Sequence, residues 1–375
     1  MRILQICSAR EIGGGERHLA DLANALALRG HEVFAAIAPE SPVRSVLTAL
    51  PSENMIELPM RNALSLGSAL QLSRFAGEKG IEIIHAHVAR DYPLAALAAG
   101  RSGAQLVLTR HVLFALSKIH RLALRRTARV IAVSEAVADS LRSQNIFQAD
   151  KIVTIHNGID VDRFARGREE IIQRDRNDRL RVGMVGHLAP IKGQEDFIRA
   201  AAVVCQSRDD VDFVIAGEDK SRDDANRVNL EMVIRELGLE PHVSLVGWID
   251  DVSKLLPTFD LFVSPARSEP FGLSIVEAMA AGVPVVASRS EGAEEILNDN
   301  ETGRLTPIGS VDSLASVIVE LLADRAQRER LAQRAQAVAR ERFSLERMVD
   351  KTEEIYREVK LLVTRGSNRD TEKRN

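Results

Sequence analysis

The feature that most constrains the fold of this 375-residue chain is a rhythm of short apolar runs, each followed by an amphipathic segment or a loop. The run at 2–7 precedes a glycine-rich turn and a segment of helical periodicity that closes at Gly30. Buried strands that alternate with helices are typical of a parallel sheet covered on both faces. The first half therefore predicts one such sheet, built from the runs RILQIC, EVFAAIA, IEIIHAH, AQLVLTR, RVIAVS and KIVTIH.

The rhythm stops in a polar stretch between Asn157 and Leu180 and then restarts with RVGMVG, DFVIAG, VSLVGW, LFVSP and VPVVAS. Hydrophobic residues make up 45% of the chain, so each half can bury its own core. We therefore predict an α/β protein with two domains. The predicted parts are an N-terminal domain at 1–160, a linker at 161–179, a C-terminal domain at 180–340, and a helix at 341–375 that packs back towards the N-terminal domain and ends in a frayed tail.

The stretch SEPFGLSIVEAMAAGVPVVAS places two carboxylates around the start of a predicted helix. Glu269 lies in the loop after the strand LFVSP, and Glu277 lies eight residues further on. The backbone N–H groups of Phe271, Gly272 and Leu273 would form the amino end of the helix, which favours anions. Ligands of parallel sheets bind outside the carboxyl ends of the strands. This loop is therefore suited to a sugar that carries a phosphate.

The same stretch resembles the E-x7-E motif of the retaining GT-B glycosyltransferases of glycosyltransferase family 4. Further motifs of that family stand in matching order, namely GGGERH, IIHAH, HNGID, VGHLAPIKG and VGWIDDV. The resemblance covers almost the whole chain, and it is specific to the family rather than to one member. It implies the GT-B fold, in which two Rossmann-like parallel-sheet domains face each other across a cleft.

The resemblance also implies an activity. A hexose would pass from a nucleoside diphosphate sugar to a glycan or lipid-linked acceptor with retention of configuration, in the synthesis of cell-envelope polysaccharide or lipopolysaccharide. We expect a front-face displacement in which the departing diphosphate accepts the proton of the acceptor. Such a reaction needs no dedicated protein base, and domain closure should accompany it.

Family roles carry over onto matching positions of the second domain. Glu269 would be catalytic and hold hydroxyls of the transferred sugar, while Glu277 would hold the nucleotide ribose. Lys192, in the loop after RVGMVG, would pair with the diphosphate as a point charge. The same resemblance assigns the donor phosphate or sugar to the amides of Phe271, Gly272 and Leu273.

In the first domain, Gly14 and Gly15 lie in a turn between a strand and a helix, where glycines allow close approach of a ligand. The resemblance implies that this ligand is the donor phosphates and the acceptor. His111 ends the strand AQLVLTRH, and the resemblance implies that it is a second catalytic residue, in contact with the donor sugar. His87 and Asp91 follow the strand IEIIHA, and we expect them to contact the acceptor.

One position departs from the family pattern. His187 stands where the family has a basic residue such as arginine, and a neutral imidazole cannot clamp a diphosphate through two hydrogen bonds. Either His187 is protonated beside the phosphates or another basic residue replaces that contact.

We expect no metal and no cofactor. The DVD sequence at 160–162 lies in the predicted linker, and no Cys/His cluster has the spacing typical of a metal site. The two cysteines are far apart and fit a reducing compartment, and MRILQICSAR is too short for a signal peptide. A net charge of −3 gives no indication of nucleic-acid binding. We expect a cytoplasmic protein.

A basic segment at 114–130 suggests attachment to the inner face of the cell membrane. It predicts a helix with Lys118, Arg121, Arg125 and Arg129 on one side, and anionic lipid would be its partner. The distribution of charge agrees, since residues 1–168 hold 21 Lys and Arg against 15 Asp and Glu. An ordinary solvated face is the alternative.

Two other functions remain open at this point. A nucleotide-sugar epimerase shares the two-domain architecture but needs side chains for acid and base catalysis. A non-catalytic subunit that binds nucleotide sugars would tolerate the change at His187.

Overall fold

A computed structural model describes residues 1–60, 66–117, 120–171 and 179–372, without the side chains of 167–171 and 362–372. The chain divides into two compact units. The first unit combines Met1–Gly158 with Leu345–Asn375, and the second comprises Ile159–Ser344.

The first unit is built on a seven-stranded parallel sheet. The six predicted runs all form strands, and a seventh strand of three residues, which we did not predict, pairs at one edge. The order of the strands across this sheet is β3-β2-β1-β4-β5-β6-β7. The strands are β1 (Arg2–Cys7), β2 (Glu32–Ile37), β3 (Met55–Glu57), β4 (Ile83–Ala86), β5 (Gln105–Arg110), β6 (Arg129–Ala132) and β7 (Ile152–Thr154).

Helices cover this sheet, and the last of them comes from the C-terminal end of the chain. Helix α15 packs on helix α1, and Val349, Tyr356 and Val359 of α15 are fully buried in the core of the first unit. The helices of this unit are α1 (Gly14–Leu28), α2 (Val43–Val46), α3 (Leu66–Glu78), α4 (Tyr92–Ser102), α5 (His120–Ala123), α6 (Glu135–Gln144) and α15 (Leu345–Glu372).

The second unit repeats the arrangement with six parallel strands in the order β10-β9-β8-β11-β12-β13. The predicted runs again form strands, and the three-residue edge strand β13 is the addition. These strands are β8 (Leu180–Val185), β9 (Val211–Ala216), β10 (Val243–Gly247), β11 (Leu261–Ser264), β12 (Val285–Ser288) and β13 (Arg304–Thr306). The predicted α/β class with two parallel sheets is therefore confirmed.

The helices of the second unit begin inside the segment that we predicted to be a linker. Residues 161–179 start with helix α7, whose side chains Val161 and Phe164 are buried. It packs on two helices of the same unit because these apolar residues share one face. The helices are α7 (Val161–Ile171), α8 (Gln194–Cys205), α9 (Ala225–Glu236), α10 (Val252–Leu255), α11 (Leu273–Ala280), α12 (Glu291–Ile296), α13 (Val311–Ala323) and α14 (Arg325–Arg342).

The predicted basic helix at 114–130 is wrong for the residues that are described. Helix α5 covers only His120–Ala123, and Arg129 already belongs to strand β6, so the cations do not share one helix face. The β-branched residues that follow explain the change, because Val130 and Ile131 are buried in register with β5. Lys118 lies outside the described residues.

Among the described helices, none combines the length and the apolar character needed to cross a membrane.

Candidate functional site

The second unit brings Lys192 and Glu269 together. The ammonium Nζ of Lys192 lies 2.5 Å from Oε2 of Glu269, and the two side chains are 22% and 13% exposed. Lys192 follows β8 and Glu269 follows β11, which are neighbours in the sheet. From β8 the chain continues to β9 on the opposite side of β8, so the order of strands reverses here. Such a reversal opens the crevice in which parallel sheets bind ligands.

The turn after Glu269 leads into helix α11 through a glycine that other residues would strain. Gly272 has φ 107° and precedes the first helical residue, Leu273. A second glycine, Gly292, stabilises this turn, because its N–H donates a hydrogen bond to the carbonyl of Glu269 at 2.8 Å. A Cβ atom at Gly292 would lie 2.1 Å from the carbonyl oxygen of Phe271. This close approach fixes the amino end of α11.

The two carboxylates of the predicted motif differ in their surroundings. Glu277 lies in the second turn of α11 and is partly buried. The backbone N–H of Glu269 donates to Oε2 of Glu291 at 3.2 Å, and the hydroxyl of Ser268 donates to the same oxygen at 3.1 Å. Glu291, which sequence reasoning did not single out, therefore orients the loop that carries Glu269.

His187 follows β8 and lies at the surface. Partial desolvation lowers the pKa of its ring, and the positive charges of Lys192 and Lys220 act in the same direction. A ring with a lowered pKa is neutral near pH 7 and offers no positive charge to a phosphate. Lys192 and Lys220 are the cations close enough to act on it.

In the first unit, the predicted residues of three neighbouring strands converge. Gly14 and Gly15 begin α1 after β1, His87 follows β4, and His111 follows β5. A Cβ atom at Gly15 would lie 3.4 Å from the ring of His111, so the start of α1 packs directly on that ring. Burial lowers the pKa of His111 well below its ordinary value, with His18 and His85 acting in the same direction. The ring is therefore neutral.

His87 and Asp91, the expected acceptor contacts, are both buried. Nε2 of His87 lies 2.8 Å from the side-chain oxygen of Gln5. Oδ2 of Asp91 accepts the backbone N–H of Ser8 at 2.8 Å, and burial raises the pKa of this carboxyl to about 6 against its hydrogen bonds with Ser8. Asp91 thus fixes the loop after β1.

That loop borders a cavity of 260 Å³ at the carboxyl ends of β1 and β2. Arg90 lines this cavity and donates from Nε to the hydroxyl of Ser8 and from Nη2 to the carbonyl of Ser8, both at 2.5 Å. The lining residues are Ser8, Arg10, Ala38, Pro39, Pro59, Met60 and Arg90. Two guanidinium groups at such a site favour an anion.

The DVD sequence at 160–162 has a structural role. Oδ1 of Asp160 accepts the N–H of Arg163 at 2.9 Å at the start of α7, and Oδ1 of Asp162 pairs with Nη1 of Arg340 at 2.6 Å. Both carboxylates therefore serve the second unit's own helices.

Comparison with known proteins identifies the family. A family model described as Glycosyltransferase Family 4 matches residues 12–163, and one described as Glycosyl transferases group 1 matches residues 167–338. The chain belongs to the family 4 type of glycosyltransferases. This agrees with the order of the sequence motifs.

A similar solved structure and a similar curated protein support the assignment. The crystal structure of Anabaena Alr3699/HepE in complex with UDP and glucose superposes with a TM-score of 0.81 at 26% identity, covering 94% of this chain and 98% of that one. The predicted GT-B fold is thereby confirmed. Phosphatidyl-myo-inositol mannosyltransferase of Mycobacterium leprae is 29% identical over 92% of this chain and 94% of its own length.

A further glycosyltransferase relative matches over a shorter length. Alpha-D-kanosaminyltransferase of Streptomyces kanamyceticus is 30% identical over 64% of this chain. The match spans 63% of that enzyme's length, slightly less than two thirds.

Several residues around the candidate sites of the two units of this glycosyltransferase were missed by sequence reasoning. His18, Arg10, Arg90 and Glu291 carry no motif of their own, although His18 is the last residue of the quoted GGGERH. Its position three residues after Gly15 places it one turn further along α1, and that spacing was the available signal.

Proposed function

We propose that this glycosyltransferase moves a hexose from a nucleoside diphosphate sugar to a glycan or lipid-linked acceptor with retention of configuration, in envelope polysaccharide or lipopolysaccharide synthesis. The observation that carries the proposal is the Lys192–Glu269 pair beside the amino end of α11, at the strand reversal of the second unit. One site there offers a cation for phosphate and a carboxylate for hydroxyl groups.

Donor binding separates Lys192 from Glu269 and gives each side chain a new partner. Its diphosphate pairs with the ammonium of Lys192, and hydroxyls of its sugar donate hydrogen bonds to the carboxylate of Glu269. Glu277 accepts hydrogen bonds from the hydroxyls of the ribose. The amides of Phe271, Gly272 and Leu273 face the distal phosphate or the sugar. The complex of Alr3699/HepE with UDP and glucose supports a nucleotide-sugar donor.

The reaction follows from these contacts. The bond between the anomeric carbon and the phosphate oxygen breaks, and the acceptor hydroxyl oxygen bonds to the same face of that carbon. The acceptor proton passes to the departing phosphate oxygen, so no protein base is required. The protein lowers the barrier by positioning and by stabilising the leaving diphosphate. The neutral ring of His111 contacts the transferred sugar, with Gly14 and Gly15 near the donor phosphates.

The acceptor binds in the first unit near His87 and Asp91. Asp91 acts through the loop that it holds, because its carboxylate fixes Ser8 at the edge of the cavity with Arg10 and Arg90. Two arginines suit a phosphate on the acceptor, as in a lipid-linked glycan. One relative is named a phosphatidyl-myo-inositol mannosyltransferase, which agrees with an acceptor of this kind.

The same proposal includes attachment to an anionic membrane surface on the cytoplasmic side. It no longer depends on the basic helix predicted at 114–130. A cavity of 810 Å³ in the first unit is lined by Arg121, Arg125 and Lys151 together with Leu122, which is 77% exposed. Cations beside an exposed apolar side chain suit a headgroup and the upper part of an acyl chain.

The experiment that tests this function is incubation with a panel of nucleoside diphosphate sugars, with and without lipid-linked acceptors. Transfer releases nucleoside diphosphate and consumes acceptor with the anomeric configuration preserved in the product, which nuclear magnetic resonance reads directly. An isomeric nucleotide sugar would instead identify an epimerase. Binding without any product would identify a non-catalytic subunit.

A further inference from the structure

Three histidines of the first unit lie close together and carry buried ring nitrogens. Nδ1 of His18, Nδ1 of His87 and Nε2 of His111 are buried, and none has a hydrogen bond of normal geometry among the described residues, although the side chain of Asn157 lies close enough to His18 to act on the pKa of its ring. The three side chains can each offer a nitrogen such that all lie within 4.8 Å of one another. Buried polar atoms without partners are uncommon, and three in one place indicate a missing ligand.

A chain of hydrogen bonds determines where the lone pair of His87 lies. The side-chain oxygen of Gln5 can only accept, so Nε2 of His87, at 2.8 Å, carries the hydrogen. Nδ1 of this neutral ring therefore carries a lone pair that can bind a ligand. The amide of Gln5 is itself oriented, because its nitrogen donates to the hydroxyl of Tyr356 at 3.3 Å. Such outer contacts are how proteins orient histidines that bind metals.

A fourth histidine lies beside the cluster but is already satisfied. Nδ1 of His85 lies 2.6 Å from the hydroxyl of Tyr356, and Nε2 lies 2.7 Å from the hydroxyl of Thr109. Both nitrogens of His85 are thus used, which leaves only the other three rings available to a ligand.

The elements that carry the three rings hold them in place. His18 lies on α1, whereas His87 and His111 each follow the last residue of the neighbouring strands β4 and β5. The ring centroids are 4.8 Å apart for His18 and His111, 5.6 Å for His18 and His87, and 5.8 Å for His87 and His111. A tetrahedral ion with metal–nitrogen bonds of about 2.0–2.1 Å needs nitrogens roughly 3.4 Å apart, so side-chain movements on the order of 1 Å close the site.

We propose that His18, His87 and His111 bind one divalent transition-metal ion such as zinc, and that this ion inhibits glycosyl transfer by occupying the ring nitrogen of His111. Three imidazoles with a fourth position open form a ligand set that suits zinc, copper, nickel and cobalt rather than magnesium or calcium. The ion is an inhibitor and not a cofactor. The inhibitory part rests on the proposed function, in which His111 contacts the sugar, and the binding part does not.

Metal binding is tested first without any substrate. The full chain, freed of metal with EDTA and dialysed, is titrated with Co²⁺ while its visible absorption and bound cobalt are measured. We expect one Co²⁺ per chain, and His18→Gln should lower the affinity at least about tenfold. His120→Gln, a histidine of the same unit outside the cluster, is the matched control and should bind as the original chain does. Circular dichroism melting checks that each variant is folded, and His87→Gln gives a second variant if His18→Gln is not.

Inhibition is then measured as glycosyl transfer with Zn²⁺. Zinc should inhibit the original chain and His120→Gln reversibly, while His18→Gln should transfer sugar at its own zinc-free rate with or without zinc. Absence of cobalt binding, or equal binding by the chain and by folded His18→Gln or His87→Gln, would overturn the site. Cobalt binding at the cluster with unchanged transfer in zinc would overturn the inhibition. If no donor is turned over, the proposed function fails, and the cobalt titration still decides the site.

Discussion

Nζ of Lys192 lies 2.5 Å from Oε2 of Glu269, across 77 residues of sequence. The side chains are 22% and 13% exposed, so both charges are partly withdrawn from water, and the cost of this desolvation offsets much of their attraction. The pair is therefore of little use for holding the fold. On the proposed function, the pair keeps a cation and a carboxylate in place at the strand reversal until a donor separates them.

The first prediction distinguishes the two glutamates of the motif. Glu277→Ala should raise the KM for the donor roughly 10- to 150-fold, because a charge-assisted hydrogen bond to the ribose contributes about 1.5–3 kcal/mol. Glu269→Ala should reduce kcat at least as much as it raises KM, because in the proposed function this carboxylate positions the reacting sugar.

Initial rates over a range of donor concentrations measure both effects. Glu301→Ala, an exposed glutamate of the same unit, is the matched control and should keep the original constants. Wild-type rates for both motif variants at subsaturating donor would show that the motif has been misassigned.

The second prediction concerns metal removal. On the proposed function, Lys192 and the amino end of α11 supply positive charge to the diphosphate, so transfer should need no divalent ion. Activity should persist after exhaustive EDTA treatment, and it should rise if zinc was bound at the histidine cluster. Loss of activity that magnesium or manganese restores would refute this expectation.

The third prediction concerns Gly292, whose missing side chain makes room for the turn at Phe271. Gly292→Ala places a methyl group 2.1 Å from the carbonyl of Phe271, so the turn must shift. We expect a loss of about 1–3 kcal/mol in the free energy of unfolding of the second unit, as for other overpacked sites.

Urea denaturation followed by the fluorescence of Trp248, the one tryptophan of the chain, reports on that unit. Gly186→Ala is the control, because its added Cβ would have no atom within 4 Å. Equal midpoints for the two variants would contradict the crowding argument.

The fourth prediction concerns Tyr356, through which the last helix enters the core of the first unit. Tyr356→Phe leaves Nδ1 of the buried His85 without its partner at 2.6 Å, which costs about 1–3 kcal/mol. Arg357→Gln removes an ion pair with Glu353 from a side chain that is 60% exposed, and it should change stability by less than about 0.5 kcal/mol. Denaturation of both variants, followed by circular dichroism, makes the comparison. A similar small effect for both would mean that the hydroxyl of Tyr356 is dispensable.

The fifth prediction concerns the basic cavity of the first unit. The chain should co-sediment with anionic liposomes at low salt and be released at high salt, since each cation near such a surface contributes about 1 kcal/mol. Changing Arg121 and Arg125 to Gln should reduce this binding. Changing Arg330 and Arg334, two exposed arginines of α14, removes the same charge and should leave it unaltered. Equal binding by both double variants would remove the cavity from the proposal.

Local sequence determined the strands that lie inside the sheets, because a buried strand needs a short apolar run bounded by polar residues. RILQIC and VPVVAS show this plainly, and their lengths and positions were predictable. The edge strands Met55–Glu57 and Arg304–Thr306 were missed, because three residues at an edge need no continuous apolar run. Helix α7 was read as a linker because charged residues outnumber the few apolar residues that it buries.

The residues of the candidate sites likewise divide into those whose arrangement the sequence predicts and those that only the tertiary structure brings together. Glu269, Glu277 and the turn between them are adjacent in sequence, so their arrangement at the start of a helix could be predicted from the residues alone. The pairing of Lys192 with Glu269 could not, because it depends on which strands are neighbours, and that order is decided by packing over the whole sheet. The convergence of His18, His87 and His111 was equally hidden. Those three residues come from α1 and from the ends of β4 and β5, and only the tertiary structure brings their rings together.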